Sequence, residues 1–312
     1  MKFKLIAVLA ALTGLLTGCV TTPEPTETAG PTEPMTSETA GPATSETTAP
    51  VTSTLNIYCF QAGKADAFLF WNEAGAVLID TGVSGFGKTI LAKLGELGIE
   101  RLDWLILTHF DKDHVGGAKK LISAIPIGTI LQSNCPKEGA DAYDKYAAAA
   151  AASGIEPVTV REPLRFQLRD VSFAVDPPAR EAYDRSASNN SSLIVTVTHG
   201  ANRLLFCGDA EDLRLAEFLN ADPGPCALVK LPHHGVWQTT LRDLIARTAP
   251  ARAVITSSNE EPEDPETLTF LEENHVETFL TRQAPVLITS DGKAMTVEYV
   301  PATDKEKVTS NN

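Results

Sequence analysis

Two histidines and two aspartates crowd into six residues of this chain, in His109-Phe110-Asp111-Lys112-Asp113-His114. Imidazole nitrogen and carboxylate oxygen are the usual ligand atoms of zinc, manganese and iron. The run follows an apolar stretch, Leu105-Ile106-Leu107, and is followed in turn by Gly116-Gly117. Four such side chains at the end of a buried strand repel one another and lose hydration, a cost that a cation among them removes. A polar turn facing water would need no alternation of histidine with aspartate. His109, Asp111, Asp113 and His114 therefore read as metal ligands.

Three other apolar runs end in the same way. Leu204-Leu205-Phe206-Cys207-Gly208 delivers Asp209, Leu228-Val229-Lys230-Leu231-Pro232 delivers His233 and His234, and Leu78-Ile79 delivers Asp80. A lone aspartate at a strand end is usually a cap or turn residue. Four strand ends of this kind in one domain point instead to loops converging at one edge of a layered fold.

The elements that must position these residues follow from the hydrophobic pattern. Short strands are expected at 55–60, 67–71 and 76–79, then a helix built on Ile90, Leu91, Leu94 and Leu97 that stops at Gly98. A buried strand at 104–107 carries the ligand loop, and a helix at 115–122, a strand at 127–131 and an alanine-rich helix at 140–152 follow. The second half repeats the style, with strands at 171–175, 193–198, 203–207, 227–231 and 253–255 and helices at 210–219, 239–247 and 265–273. A closing hairpin, 286–289 with 294–299, turns at Asp291-Gly292. Two β-rich halves with interspersed helices imply an α/β fold of two sheets packed face to face, covered outside by helices.

The ends of the chain carry different information. Met1-Lys2-Phe3-Lys4 and the apolar run 5–16 form a leader too short for a comfortable membrane span, and Leu16-Thr17-Gly18-Cys19 resembles a bacterial lipoprotein cleavage box. On that resemblance residues 1–18 are removed and Cys19 is lipidated. From 19 to 54 the chain is rich in Thr, Pro and Glu, and Glu27-Thr28-Ala29-Gly30-Pro31 recurs as Glu38-Thr39-Ala40-Gly41-Pro42. Such a segment cannot bury enough surface to fold and serves as a tether reaching on the order of 100 Å. The expected organisation is a signal peptide (1–18), a tether (19–54), a single α/β domain (55–300) and a polar tail (301–312). The expected location is extracytoplasmic, anchored to the cell membrane.

The chain has a formal net charge of −14. Duplex nucleic acid is normally held by a basic face that displaces counterions. No such Lys/Arg cluster is visible, so strong nonspecific binding to nucleic acid is not expected. Beyond Cys19, the four cysteines Cys59, Cys135, Cys207 and Cys226 form no CxxC pair, and disulfides and free thiols are equally compatible with their spacing.

Taken in order, Asp80-Thr81-Gly82, His109-x-Asp111-x-Asp113-His114, Gly208-Asp209 and His233-His234-Gly235 resemble the motifs of the metallo-β-lactamase-fold hydrolases. The hydrolase domain of the ComEC/Rec2 competence proteins is the more specific resemblance. It extends to Phe60-Gln61-Ala62-Gly63-Lys64-Ala65-Asp66-Ala67 and to Asn189-Asn190-Ser191-Ser192-Leu193, and it covers nearly all of 55–300. It implies a four-layer αββα sandwich with two divalent metal ions, zinc or manganese. One site would use Asp113, His114 and one or both of His233 and His234; the other would use His109 and Asp111; Asp209 would bridge. Asp80 would support the ligands from behind. Asp113, His234 and His233 would carry catalysis, with Asn190, Thr108 and Lys230 as candidates for orienting substrate, although Lys230 is expected to face away as a pleat residue. His199 and His275 are expected to be surface histidines.

Two departures from the commonest family pattern stand out: Asp111 occupies a position where most members have histidine, and no histidine lies near Asn190. The ComEC-like branch shares both. An oxygen-rich first site favours a harder ion such as manganese. The expectation is a membrane-tethered, metal-dependent hydrolase of phosphodiesters, nucleic acid among them, in which metal-acidified water attacks. Alternatives are a carboxylic ester or lactone hydrolase, and a tethered binding protein with a vestigial metal site. No protein partner is expected.

Overall fold

Hydrophobic runs of five or six residues separated by glycine-bearing turns produce a meander at the start of the domain, β1 (Leu55–Cys59), β2 (Phe68–Asn72) and β3 (Gly75–Ile79). The computed structural model describes residues 53–302, so the leader, Cys19, nearly all of the expected tether and most of the expected tail lie outside the described residues. Helix α1 (Gly87–Glu96) leads to β4 (Leu102–Leu107), parallel to β3. Helices α2 (Lys112–Val115) and α3 (Ala118–Ile122) lead to β5 (Ile127–Gln132), and α4 (Asp141–Ser153) to the edge strand β6 (Val158–Thr159).

The second sheet begins with four antiparallel strands, β7 (Leu164–Leu168), β8 (Val171–Asp176), β9 (Ile194–His199) and β10 (Asn202–Phe206). Three parallel strands follow, β11 (Leu228–Lys230), β12 (Arg252–Ile255) and β13 (Glu277–Leu280), joined by α5 (Asp212–Asn220), α6 (Thr240–Thr248) and α7 (Pro265–Glu273). The final hairpin, β14 (Val286–Ser290) and β15 (Met295–Tyr299), returns to the first sheet and pairs with β1. The strand orders are β15-β14-β1-β2-β3-β4-β5-β6 and β13-β12-β11-β10-β9-β8-β7.

Three apolar clusters separate four layers. Phe68, Phe70 and Ile106 meet Phe173, Phe206 and Val254 between the sheets. Ile90, Leu94, Leu121 and Tyr146 cover the outer face of the first sheet, and Leu215, Leu244 and Leu271 that of the second. This is the αββα architecture expected from the sequence. It matters for function because β3-β4-β5 and β10-β11-β12 are parallel. The C-terminal ends of each set therefore open onto a common edge.

Local expectations were revised at three places. The single helix expected at 115–122 is broken at Gly116-Gly117, where the loop after β3 packs too closely for a side chain. A Cβ on Gly117 would lie 2.3 Å from the Thr81 carbonyl oxygen, and one on Gly116 2.5 Å from the Ser84 nitrogen. Strands β6, β7 and β13 had no counterpart in the sequence reading; all three are short and lie at or beside sheet edges, where one-sided cover weakens the apolar signal. The third revision is His199. Expected on the surface, it is fully buried at the end of β9, because the C-terminal hairpin turn lies over it. Its Nδ1 is 2.9 Å from Ser290 Oγ and its Nε2 3.4 Å from Ser53 Oγ.

Burial holds the His199 pKa below its ordinary value of 6.5. The unfolded chain therefore binds the proton more readily than the folded one. The stability from this site is fully present above about pH 6.5 and is lost as pH falls toward the folded pKa. Thermal midpoints of the full chain between about pH 7.5 and 5.5 should fall less steeply for His199→Gln than for the wild type. Parallel slopes would show that His199 titrates normally.

Candidate metal centre

Most side chains of the site sit just past a strand end at the shared edge, while Asp113 and His114 lie in α2. Asp80 follows β3, Thr108 and His109 follow β4, Asp209 follows β10, His233 and His234 follow β11, and Thr256 follows β12. Asp80, His233 and His234 adopt left-handed backbone, with φ of 56°, 47° and 54°. Non-glycine residues held this way cost free energy and concentrate at functional sites.

Asp113, His114, Asp209 and His234 converge, their ligand atoms all within 4.8 Å of one another. Asp209 Oδ2 lies 3.2 Å from His114 Nε2 and 3.1 Å from His234 Nε2, and Asp113 Oδ2 lies 3.3 Å from His234 Nε2.

The tautomers follow from the groups behind the rings. His114 Nδ1 donates to Asp80 Oδ2 at 2.8 Å, since a carboxylate only accepts. Asp80 also accepts from Thr108 N–H at 2.8 Å and from its hydroxyl at 2.7 Å. Having given its proton to Asp80, the Thr108 oxygen accepts from His109 Nδ1 at 3.1 Å. His234 Nδ1 donates to the Thr256 carbonyl at 3.0 Å. In the neutral rings every Nε2 then carries its lone pair toward the site. His109 Nε2, His114 Nε2, His234 Nε2 and Asp209 Oδ1 are all buried with no hydrogen-bond partner. Such orphaned atoms are costly in a folded protein, and a divalent cation is the partner whose chemistry fits nitrogen lone pairs facing carboxylates. Backing of ligand histidines by carboxylate and carbonyl is the usual way such rings are aimed.

Electrostatics agree with the geometry. Although burial opposes it, the carboxylates of Asp209 and Asp80 raise His114 well above 6.5, and Asp209 with Asp113 raises His234 to about 9. Burial raises the Asp209 pKa, but His114 and His234 outweigh it and hold the carboxyl ionised. A field that retains extra protons on two buried rings also attracts a cation.

The other expected ligands stand beside this cluster. His109 lies against His114 with ring centroids 4.0 Å apart and the rings tilted by 48°, and burial together with His114 lowers its pKa to about 4, so its ring is neutral. Asp111 Oδ2 is 3.8 Å from His109 Nε2, while its Oδ1 is bonded by Lys137 and Ser188. Between the two adjacent histidines the structure discriminates. His234 enters the cluster. His233 turns to the rim, a quarter exposed, with Nδ1 3.4 Å from Glu211 Oε1 and Nε2 3.3 Å from Asn189 Nδ2.

Three sequence readings are corrected here. Asn190 is buried, its amide donating to the Arg185 carbonyl at 3.0 Å and accepting from Arg214 N–H at 3.0 Å, so it braces α5 and does not face the site. Thr108 is spent on Asp80 and His109. Lys230 does not face away: it is completely buried and its ammonium bonds Asp66 and, at 3.0 Å, the Gly208 carbonyl. Asp66 was missed as a functional residue. Its signals were its place in the Phe60–Ala67 run that carries the family resemblance and a carboxylate set between alanines, Ala65-Asp66-Ala67, immediately before a strand.

Residues 61–257 match the Metallo-beta-lactamase superfamily. The chain is 31% identical to ComE operon protein 3 of Bacillus subtilis (strain 168) over 210 residues, which is 60% of this chain and 26% of that protein. It is 27% identical to Recombination protein 2 of Haemophilus influenzae over 214 residues, 67% of this chain and 25% of that protein. The match thus spans about a quarter of each relative's length. Among solved structures, the metallo-beta-lactamase fold protein YhfI from Bacillus subtilis superposes with a TM-score of 0.49 at 11% identity, covering 79% of this chain and 100% of that one. Among the described residues no helix is long and apolar enough to cross a membrane.

Proposed function

The chain belongs to the metallo-beta-lactamase superfamily, and from that premise we propose that it is a metal-dependent hydrolase of phosphodiesters, held outside the cytoplasm by a lipid on Cys19. The observation that carries the hydrolase reading is the set of orphaned, converging ligand atoms on His114, His234 and Asp209. When bound, a divalent cation supplies Lewis acidity toward phosphoryl oxygens and makes water a stronger acid. Asp113, His114, Asp209 and His234 are the residues that would hold it. His109 and Asp111, again with Asp209, would hold a second cation, and the carboxylates there suit manganese as well as zinc.

A cleft of about 470 Å³ adjoins the cluster and is lined by Asp111, Asp113, Phe110, Lys112, Lys137 and Lys145. Its volume lies in the range of small-molecule sites. Its three lysines are balanced by Asp111, Asp113 and Asp141, with Lys137 paired to Asp111 and Lys145 to Asp141, so the attraction for an anionic diester over a neutral ester or lactone rests on the cation the site would hold, in a chain whose net charge is −14. The name of one relative, Recombination protein 2, supports nucleic acid as one such substrate. His233, at the rim beside Glu211 and Asn189, is the residue we assign to contact substrate.

The test is made on the full chain purified without chelator. Bound metal is counted, and hydrolysis of bis-p-nitrophenyl phosphate and of p-nitrophenyl acetate is measured with added zinc or manganese. The expected result is at least one metal per chain and metal-dependent diester turnover. Bound metal with acetate hydrolysis alone would move the assignment to carbonyl substrates. Absence of both metal and turnover would leave a tethered binding protein.

A further inference from the structure

Behind the ligands lies a buried ion pair that the proposed chemistry does not use. Lys230 shares its strand face with Leu228, which belongs to the core between the sheets, so its side chain points into the sandwich interior. There the ammonium meets Asp66, from the β1–β2 loop of the opposite sheet, and lies 3.7 Å from the otherwise unpartnered Asp209 Oδ1. Asp66 Oδ1 accepts from the Thr256 hydroxyl at 2.6 Å, and that hydroxyl lies 2.9 Å from His234 Nδ1. The Asp66 backbone donates to the Asp113 carbonyl at 3.2 Å and accepts from Gly82 N–H at 2.8 Å. Through its backbone, its carboxylate and the paired Lys230, Asp66 is therefore tied to the segments that carry Asp80, Asp113, Asp209 and His234.

A buried ion pair is weak evidence for stability, because desolvation offsets most of its attraction. Its contacts here make better sense as placement. Asp113 and His114 come from the first sheet, and Asp209 and His234 from the second; side chains on opposite sheets need a fixed bridge to stay within bonding range of one ion. We propose that Lys230, Asp66 and Thr256 form a cross-sheet positioning unit that sets Asp209 and His234 opposite Asp113 and His114 and thereby raises the affinity of the site for a divalent cation. The proposal rests on the metal-dependent reading of the four-ligand cluster.

The pair is neutral overall, so removing both charges together leaves the net charge beside the ion unchanged and isolates the geometric effect. Zinc affinity of the full chain is measured by competition with a chromophoric chelator, alongside the thermal midpoint of the metal-free protein. Thr256→Val is expected to weaken zinc binding about 10-fold with little change in the metal-free midpoint, and the double variant Lys230→Met/Asp66→Asn about 10–100-fold. Thr256→Ser, which keeps the hydroxyl, should bind as the wild type does. Should the double variant fail to fold, the Thr256 pair alone decides. Wild-type affinity in Thr256→Val overturns the proposal, and so does equal weakening in Thr256→Ser and Thr256→Val, since the hydroxyl would then have no role. A wild-type chain with no affinity for zinc or manganese removes the metal reading and this proposal with it; retained wild-type affinity with unaffected variants removes only the positioning role.

Discussion

Asp209→Asn is expected to lower metal-dependent diester turnover by on the order of 10³-fold or more, a loss of several kcal/mol of transition-state stabilisation. One oxygen of Asp209 lies between His114 Nε2 and His234 Nε2. The other is buried without a hydrogen-bond partner. The amide of asparagine keeps the shape but removes the charge that balances a divalent cation. Metal-induced stabilisation should disappear as well: a ligand at about 1,000 times its dissociation constant adds about 4 kcal/mol to the stability of a protein that binds it only when folded. The check pairs initial rates with thermal midpoints, each with and without metal. Turnover unchanged in the variant would mean that the four-ligand cluster is not where hydrolysis occurs.

The second large effect concerns folding. Lys230→Met should destabilise the metal-free chain by about 3–5 kcal/mol, because it leaves the Asp66 carboxylate buried opposite nothing positive. That is a large share of the roughly 5–15 kcal/mol that holds a typical domain folded. Adding Asp66→Asn to Lys230→Met should restore most of the loss, since the cost lies in the uncompensated charge and not in the missing contact. Denaturant titrations of wild type, both single variants and the double variant form the cycle that separates these terms. A Lys230→Met midpoint equal to that of the wild type would place Lys230 in contact with water in solution, contrary to its complete burial.

The layers of this fold were legible because most strands and helices show clean periodicity. The 265–273 helix was read with the bounds of α7, and the final hairpin to within a residue or so of β14 and β15. The destination of that hairpin was not legible. It crosses to the first sheet and covers His199, a long-range pairing that no local pattern encodes. The error at Lys230 has a similar origin. Alternation along a strand predicts one wet face, but β11 lies between β10 and β12 in a sheet covered on both sides, with Leu228, Val229 and Lys230 all buried. In such a strand a charged residue is carried inward, and its partner must come from elsewhere in the chain.

By itself the sequence determined the chemistry available to this protein: histidine and aspartate at the ends of apolar strands, an αββα order of elements, and glycines where loops crowd together. Those properties are local, set by residue type, spacing and backbone sterics. Only the tertiary structure decided which of two adjacent histidines joins Asp113, His114 and Asp209. It also turned Asn190 away from the site and tied Asp66 to Lys230 across 164 positions of chain. Those outcomes depend on how two independently built sheets pack, and the distances between their loops exist only once the core between them has closed.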